Sequence, residues 1–92
     1  MGQQIYAPSA EYSSPAIDAA AVTPDDANDI TRRNNQVVRG LYVGTGGNVT
    51  VRMRGETTTV LFSNVPAGSI LPVMVDRVMA TGTTASNIVA LF

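Results

Sequence analysis

From residue 37 onward, short runs of β-branched and apolar residues alternate with turn-forming clusters at intervals of about ten residues. The runs are VVRGLYV (37–43), VTVRMR (49–54), TTTVLFS (57–63), SILPVMVDRVMA (69–80) and IVALF (88–92). Between them lie GTGGN (44–48), Gly55-Glu56, NVPAG (64–68) and TGTTASN (81–87), rich in residues that reverse a chain. VTVRMR sets the period: Val49, Val51 and Met53 point one way, Thr50, Arg52 and Arg54 the other. Such spacing predicts an all-β fold, a small antiparallel β-sandwich or barrel-like domain. Consecutive strands are expected to pair as neighbours, giving a β-meander. Gly55-Glu56 suits a two-residue hairpin turn, and GTGGN another hairpin. Residues 69–80 read as one long strand with apolar side chains on both faces, hence covered on both. IVALF is apolar on both faces too and is expected to close a sheet as an interior strand. The glycines at 44, 46, 47, 68 and 82 fall in the expected turns.

The domain organisation predicted is an extended N-terminal arm over 1–15 and a single β domain over 16–92. Pro8 and Pro15 favour an extended path, and Ile5, Tyr6 and Tyr12 are isolated apolar anchors. The arm is either a disordered tail or a contact across another subunit, with the tyrosines supplying area at small entropic cost. AIDAAAVTP (16–24) reads as a short strand leading into a helical turn. Thr23 is placed as its N-cap, Pro24 at its first position and Asp26 three residues after the cap. Asp25, Asp26, Asn28 and Asp29 offer four oxygen side chains, but their spacing lacks the glycine and order of a calcium loop. Capping and solvation account for them better.

At 92 residues with no cysteine and no histidine, the chain has neither disulfides nor the commonest transition-metal ligands. A domain this small is modestly stable alone, so oligomerisation is the expected support. No metal, cofactor or catalytic constellation is expected: histidine-dependent catalysis has no base, and no serine sits in a nucleophile elbow. The glycines of YVGTGGNV lead into a strand rather than a helix and carry no lysine, unlike a phosphate loop. Net charge is −1, so electrostatic binding of nucleic acid is not expected. No apolar run is long enough for a membrane span, and the first residues lack the pattern of a signal peptide. All six bases are arginine, which fits partly buried ion pairs at interfaces or reflects compositional bias. Arg32, Arg33 and Arg77 are the candidates for contact with another subunit or a partner surface. Asp76 and Arg77 are adjacent, so each faces its own partner or solvent.

Several stretches carry a resemblance. PAIDAAAVTPDD, RGLYVGTGGNVTV and VPAGSILPVMVDRVMATGTTASNIVALF resemble the head spike base proteins of gene transfer agents and related tailed phages. The similarity runs from about Pro15 to Phe92, is weakest over 31–36 and is absent from the first dozen residues. It implies a structural protein of the virion, made in the bacterial host cytoplasm and placed on the capsid surface. It implies a ring of identical subunits at a capsid vertex, a pentamer, contacting the major capsid protein and anchoring a spike or fibre protein. It implies no enzymatic activity and no cofactor. Within it Gly44, Gly46, Gly47 and Gly82 fit structural roles, while Ile5, Tyr6 and Tyr12 lie where capsid attachment would be specified. The competing readings are a monomeric glycan-binding module, disfavoured by the scarcity of aromatics, and a tail or baseplate component.

Overall fold

A computed structural model describes residues 15–31 and 36–92. It is all-β. Seven strands run in the order β1 (Ala19–Ala21), β2 (Gly40–Thr45), β3 (Gly47–Met53), β4 (Thr59–Val65), β5 (Ser69–Leu71), β6 (Val75–Val78) and β7 (Ser86–Leu91). They form two antiparallel sheets, a four-stranded one in the order β1-β7-β2-β5 and a three-stranded one in the order β4-β3-β6. The inner faces share one core. Leu41, Val43, Ile88, Ala90 and Phe92 come from the first sheet and its end; Val49, Val51, Val65, Val75 and Val78 come from the second.

β7 is an interior strand, as IVALF predicts. It lies between β1 and β2, with Ala90 opposite both Ala20 and Leu41. Phe92 continues its inward side and is fully buried. Its amide and carbonyl are tied to the start of β1, donating to Asp18 O and accepting from Ile17 N.

The meander does not form. Among the described strands only β3 and β4 pair with a chain neighbour. β2 runs to Thr45 and β3 starts at Gly47, which leaves Gly46 alone between them. One residue cannot close a hairpin, and the chain instead steps from one sheet to the other. Gly44, expected in a turn, therefore lies inside β2. There a Cβ would come within 2.8 Å of Asn87 Cβ and Asn87 O, so glycine admits the close approach of the β7 end. Gly46 and Gly47 flank the step, Gly68 sits in the turn between β4 and β5, and Gly82 in the loop between β6 and β7.

The long strand expected over 69–80 is two strands in different sheets. Pro72 has no N–H to give a ladder, and Val73 N bonds to Leu71 O around it in a three-residue turn. Apolar residues on both faces of that run are thus two inward faces seen in succession. β6 also carries a bulge. Arg52 pairs with Arg77, but Met53 pairs with Val75, so Asp76 is the extra residue. The bulge lets Val75 and Val78 both reach the core despite their spacing. The β3–β4 connection is longer than two residues, since Arg52 pairs with Thr59. Glu56 N bonds to Met53 O, and Gly55 takes the third position of that turn with φ 79°.

No helix follows Thr23. The segment from 22 to 30 runs beside the free edge of β6, where Asp25 N bonds to Val78 O and Ile30 N to Asp76 O. A turn of helix this short has a costly nucleus, and these strand carbonyls take the amides instead. The acidic side chains cap a bend: Asp25 Oδ1 accepts from Ala27 N at 2.7 Å and from Asn28 N at 3.1 Å.

Candidate assembly surfaces

Three surfaces distinguish this fold. The first is a charged clasp on the outside of the second sheet. Arg52 and Arg77 stand opposite each other on neighbouring strands, a like-charge placement that destabilises a sheet unless neutralised. Asp29 neutralises it from the 22–31 segment. Its Oδ1 accepts from Arg52 Nη2 at 2.7 Å and from Arg77 Nε and Nη2 at 2.9 Å. Arg77 Nη1 also donates to Asp26 O. The guanidinium singled out for intersubunit contact is therefore engaged within its own chain. Arg52 Nε is buried without a partner among the described residues. Arg32 and Arg33, with Ile5, Tyr6 and Tyr12, lie outside the described residues.

The acids beside the clasp are each occupied. Asp26 accepts from Thr81 Oγ1 at 2.6 Å and Thr81 N at 2.9 Å, tying the segment to the β6–β7 loop. These bonds, the hydroxyl first, hold the Asp26 carboxyl below the ordinary 3.8. Asp25 is lowered as well, chiefly by the Ala27 amide and then by the Asn28 side chain. Among the described residues no group of His, Cys, Asp or Glu is placed to hold a metal. A depressed carboxyl stabilises the fold above its unfolded value, and that contribution fades as pH falls through the folded value. Asp26→Ala is expected to unfold more readily than the parent chain at neutral pH, by a margin that narrows as pH falls below 3.8 through the lowered folded value. Denaturant titrations across that range check it; a deficit unchanged at low pH would contradict the role given to Asp26.

The second surface is the outer face of the first sheet. Leu41, Val43, Ile88 and Ala90 point inward, so alternation turns Tyr42 and Val89 outward. The register aligns Ala21, Val89, Tyr42 and Ile70 in one row across all four strands. Ala19, Leu91 and Gly40 form the adjacent row. None of these residues is charged.

The third surface is β4. It is the outer strand of its sheet, with no strand beyond it among the described residues. Its sequence, TVLFSNV, contains no charge and no proline, the devices by which edge strands usually resist pairing. Val60 and Leu61 are exposed on it.

Sequence reasoning did not find the second and third surfaces. Their signal is present as apolar residues at outward positions, such as Tyr42 between Leu41 and Val43, but only the runs over 69–80 and 88–92 read as apolar on both faces. No helix among the described residues is long and apolar enough to cross a membrane.

The comparisons with known proteins bear on these surfaces. No protein-family model and no curated protein matches the chain. Among solved structures, a chain described as "Capsid of native GTA particle computed with C5 symmetry" matches. The two chains are 41% identical, with a TM-score of 0.75, over 88% of each. The chain belongs to a family of capsid components of gene transfer agents. Its similarity to that capsid chain extends over nearly the whole sandwich, so the family is shared at the level of the complete fold and not of a single motif.

Proposed function

We propose that this protein is the head spike base of a phage-like particle. In this reading it is a non-enzymatic structural component that forms a fivefold ring at a capsid vertex. The ring contacts the major capsid protein and anchors a spike or fibre protein. The observation that carries the reading is the 41% identity, over 88% of both chains, to a component of a particle capsid resolved with C5 symmetry. The sequence stretches around Pro15–Asp26, Arg39–Val51 and Val65–Phe92 support the spike base assignment within that family. A small chain without cysteine or histidine is also one that gains from neighbours.

The test is binding to purified capsids, read by electron microscopy with fivefold averaging at the vertices. Extra density at the vertices in the presence of the protein is the expected result. Density on the capsid faces, or on the tail with threefold or sixfold order, would overturn the vertex assignment. A chain lacking residues 1–14 is expected to keep its fold and lose capsid binding, since Ile5, Tyr6 and Tyr12 go with it. Retained binding would remove the arm from the attachment site.

A further inference from the structure

We propose that the open edge of β4 receives residues 2–7 of a neighbouring copy, GQQIYA, as an added strand. The proposal rests on the ring reading above and names what joins one subunit to the next. The core is unfinished at this edge. Val60 stands opposite Val51 and Phe62 opposite Val49, and residues directly opposite in an antiparallel pair share a face. Val49 and Val51 are wholly buried, so Val60 points to the core side, yet it is 43% exposed. Leu61, on the outer face, is 52% exposed. Both faces of the strand are thus uncovered at the same point. A strand laid alongside covers both and pairs the backbone, which a surface resting on either face does not. The other edges are closed or short. The 22–30 segment runs along β6 and takes Val78 O and Asp76 O. β1 and β5 have three residues each. Along 59–63, before Asn64 turns to φ 55°, β4 offers a regular backbone that no described strand pairs on its outer side.

The chain carries a matching segment. Ile5 and Tyr6 are adjacent, so an extended path puts them on opposite faces, the same pattern as Val60 and Leu61. Pro8 has no N–H and holds Ala7 extended, which sets the end of the added strand at residue 7. The segment has no charged side chain, and Arg54 and Glu56, in the hairpin before β4, are exposed and keep their water. Its backbone groups meet those of β4, so neither row is left bare. Position selects a neighbour's arm. The chain passes from β1 to the edge of β6 through 22–30, and from β4 to β5 through the turn at 66–68. β1 and β4 therefore lie on opposite flanks of the sandwich. The arm enters at β1, and a head-to-tail ring sets that flank against the β4 flank of the next copy. Residues 8–14 reach about 23 Å when extended, enough to cross between adjoining flanks while 2–7 lie along β4. Tyr12, outside the added strand, is left for the capsid contact proposed above.

The experiment is disulfide trapping, which a chain without cysteine permits free of background. Full-length chains carry Tyr6→Cys together with Thr59→Cys, Leu61→Cys or Ser63→Cys. These three positions alternate onto the outer face of β4 and are exposed, so they sample the register without disturbing the core. Each double variant is oxidised alone and on purified capsids, then resolved on non-reducing gels and by peptide mass spectrometry. At least one is expected to give a ladder of covalent oligomers ending at a closed ring, with a junction between position 6 and the β4 cysteine. A cross-linked monomer would overturn the inference, since the arm would then cover its own edge. Absence of the junction both in solution and on capsids would overturn it too. A chain lacking residues 1–7 is expected to stay monomeric at concentrations at least about 100-fold above those at which the parent assembles. Rings formed by that chain, in solution or at vertices, would also overturn the inference. Vertex binding of the parent keeps the two readings apart. Vertex density without the junction leaves the ring and removes the arm from it; with neither, both fail.

Discussion

Phe92→Ala is expected to lower the stability of the isolated protein by about 3–5 kcal/mol, the cost of emptying an aromatic site in a packed core. Phe92 is wholly buried and continues the inward side of β7 beyond Ala90. The substitution leaves its backbone in place, so the bonds to Ile17 and Asp18 survive. Deleting Phe92 removes those as well and is expected to cost more than the alanine does. For a domain of this size, each kcal/mol moves the melting temperature by about 4–8 °C. The alanine variant is thus expected to melt more than about 12 °C below the parent, measured by calorimetry or circular dichroism. A loss under about 1 kcal/mol would mean that Phe92 is not part of the core.

Gly47→Ala is expected to cost at least about 3 kcal/mol, combining a strained backbone with lost hydrogen bonds. Gly47 has φ 156° and opens β3 directly beneath the β6–β7 loop. A Cβ there would lie 2.7 Å from Thr84 Oγ1, 2.8 Å from Ala85 N and 3.0 Å from Thr84 C. Two of these are backbone atoms and cannot swing aside. The loop would have to lift off β3. Asn48 N would then lose Thr84 Oγ1, and Asn48 O would lose the amides of Thr84 and Ala85. Gly55→Ala is the control. It also has positive φ, 79°, but nothing lies within 4 Å of the added carbon, so only the local strain of about 1 kcal/mol is expected. Equal losses at the two positions would show that crowding beneath the loop contributes nothing.

Much of this fold can be read from period-two alternation. Val49 and Val51 are buried on β3 as their spacing requires, and Ile88, Ala90 and Phe92 are buried on β7. The existence of strands near 40–45, 47–53, 59–65 and 86–91 was legible for the same reason. Which sheet each strand joins was not. Alternation is identical whether a strand pairs with its predecessor or crosses to the opposite layer, and Gly46 carries no mark that distinguishes the two. Pro72 does carry such a mark, but the apolar residues around it read as one run. The Val75 and Val78 spacing conflicts with a regular strand, and only the bulge at Asp76 resolves it. Thr23-Pro24-Asp25-Asp26 reads as a helix start because a local pattern cannot reveal that β6 carbonyls will claim the amides of Asp25 and Ile30. Arg77 was visible as a charge needing a partner. That Asp29 serves both Arg77 and Arg52 depends on the register of β3 with β6, which no local pattern contains.

The position of β7 has a consequence for how the chain reaches this structure. β1 and β2 are neighbours of β7 and not of each other, so the first sheet has no centre until the last strand of the described chain arrives. During synthesis β1 leaves the ribosome with its pairing groups vacant, and β2 can pair only along its β5 edge; the groups that face β7 cannot be satisfied before residues 86–91 emerge. Folding governed by such distant pairings belongs to the slow class of small domains, on the order of milliseconds to seconds. The first sheet is therefore completed after translation of its final strand, and its outer face with Tyr42 and Ile70 exists only from that moment. The chain cannot offer that complete face to a neighbour before residues 86–91 have emerged.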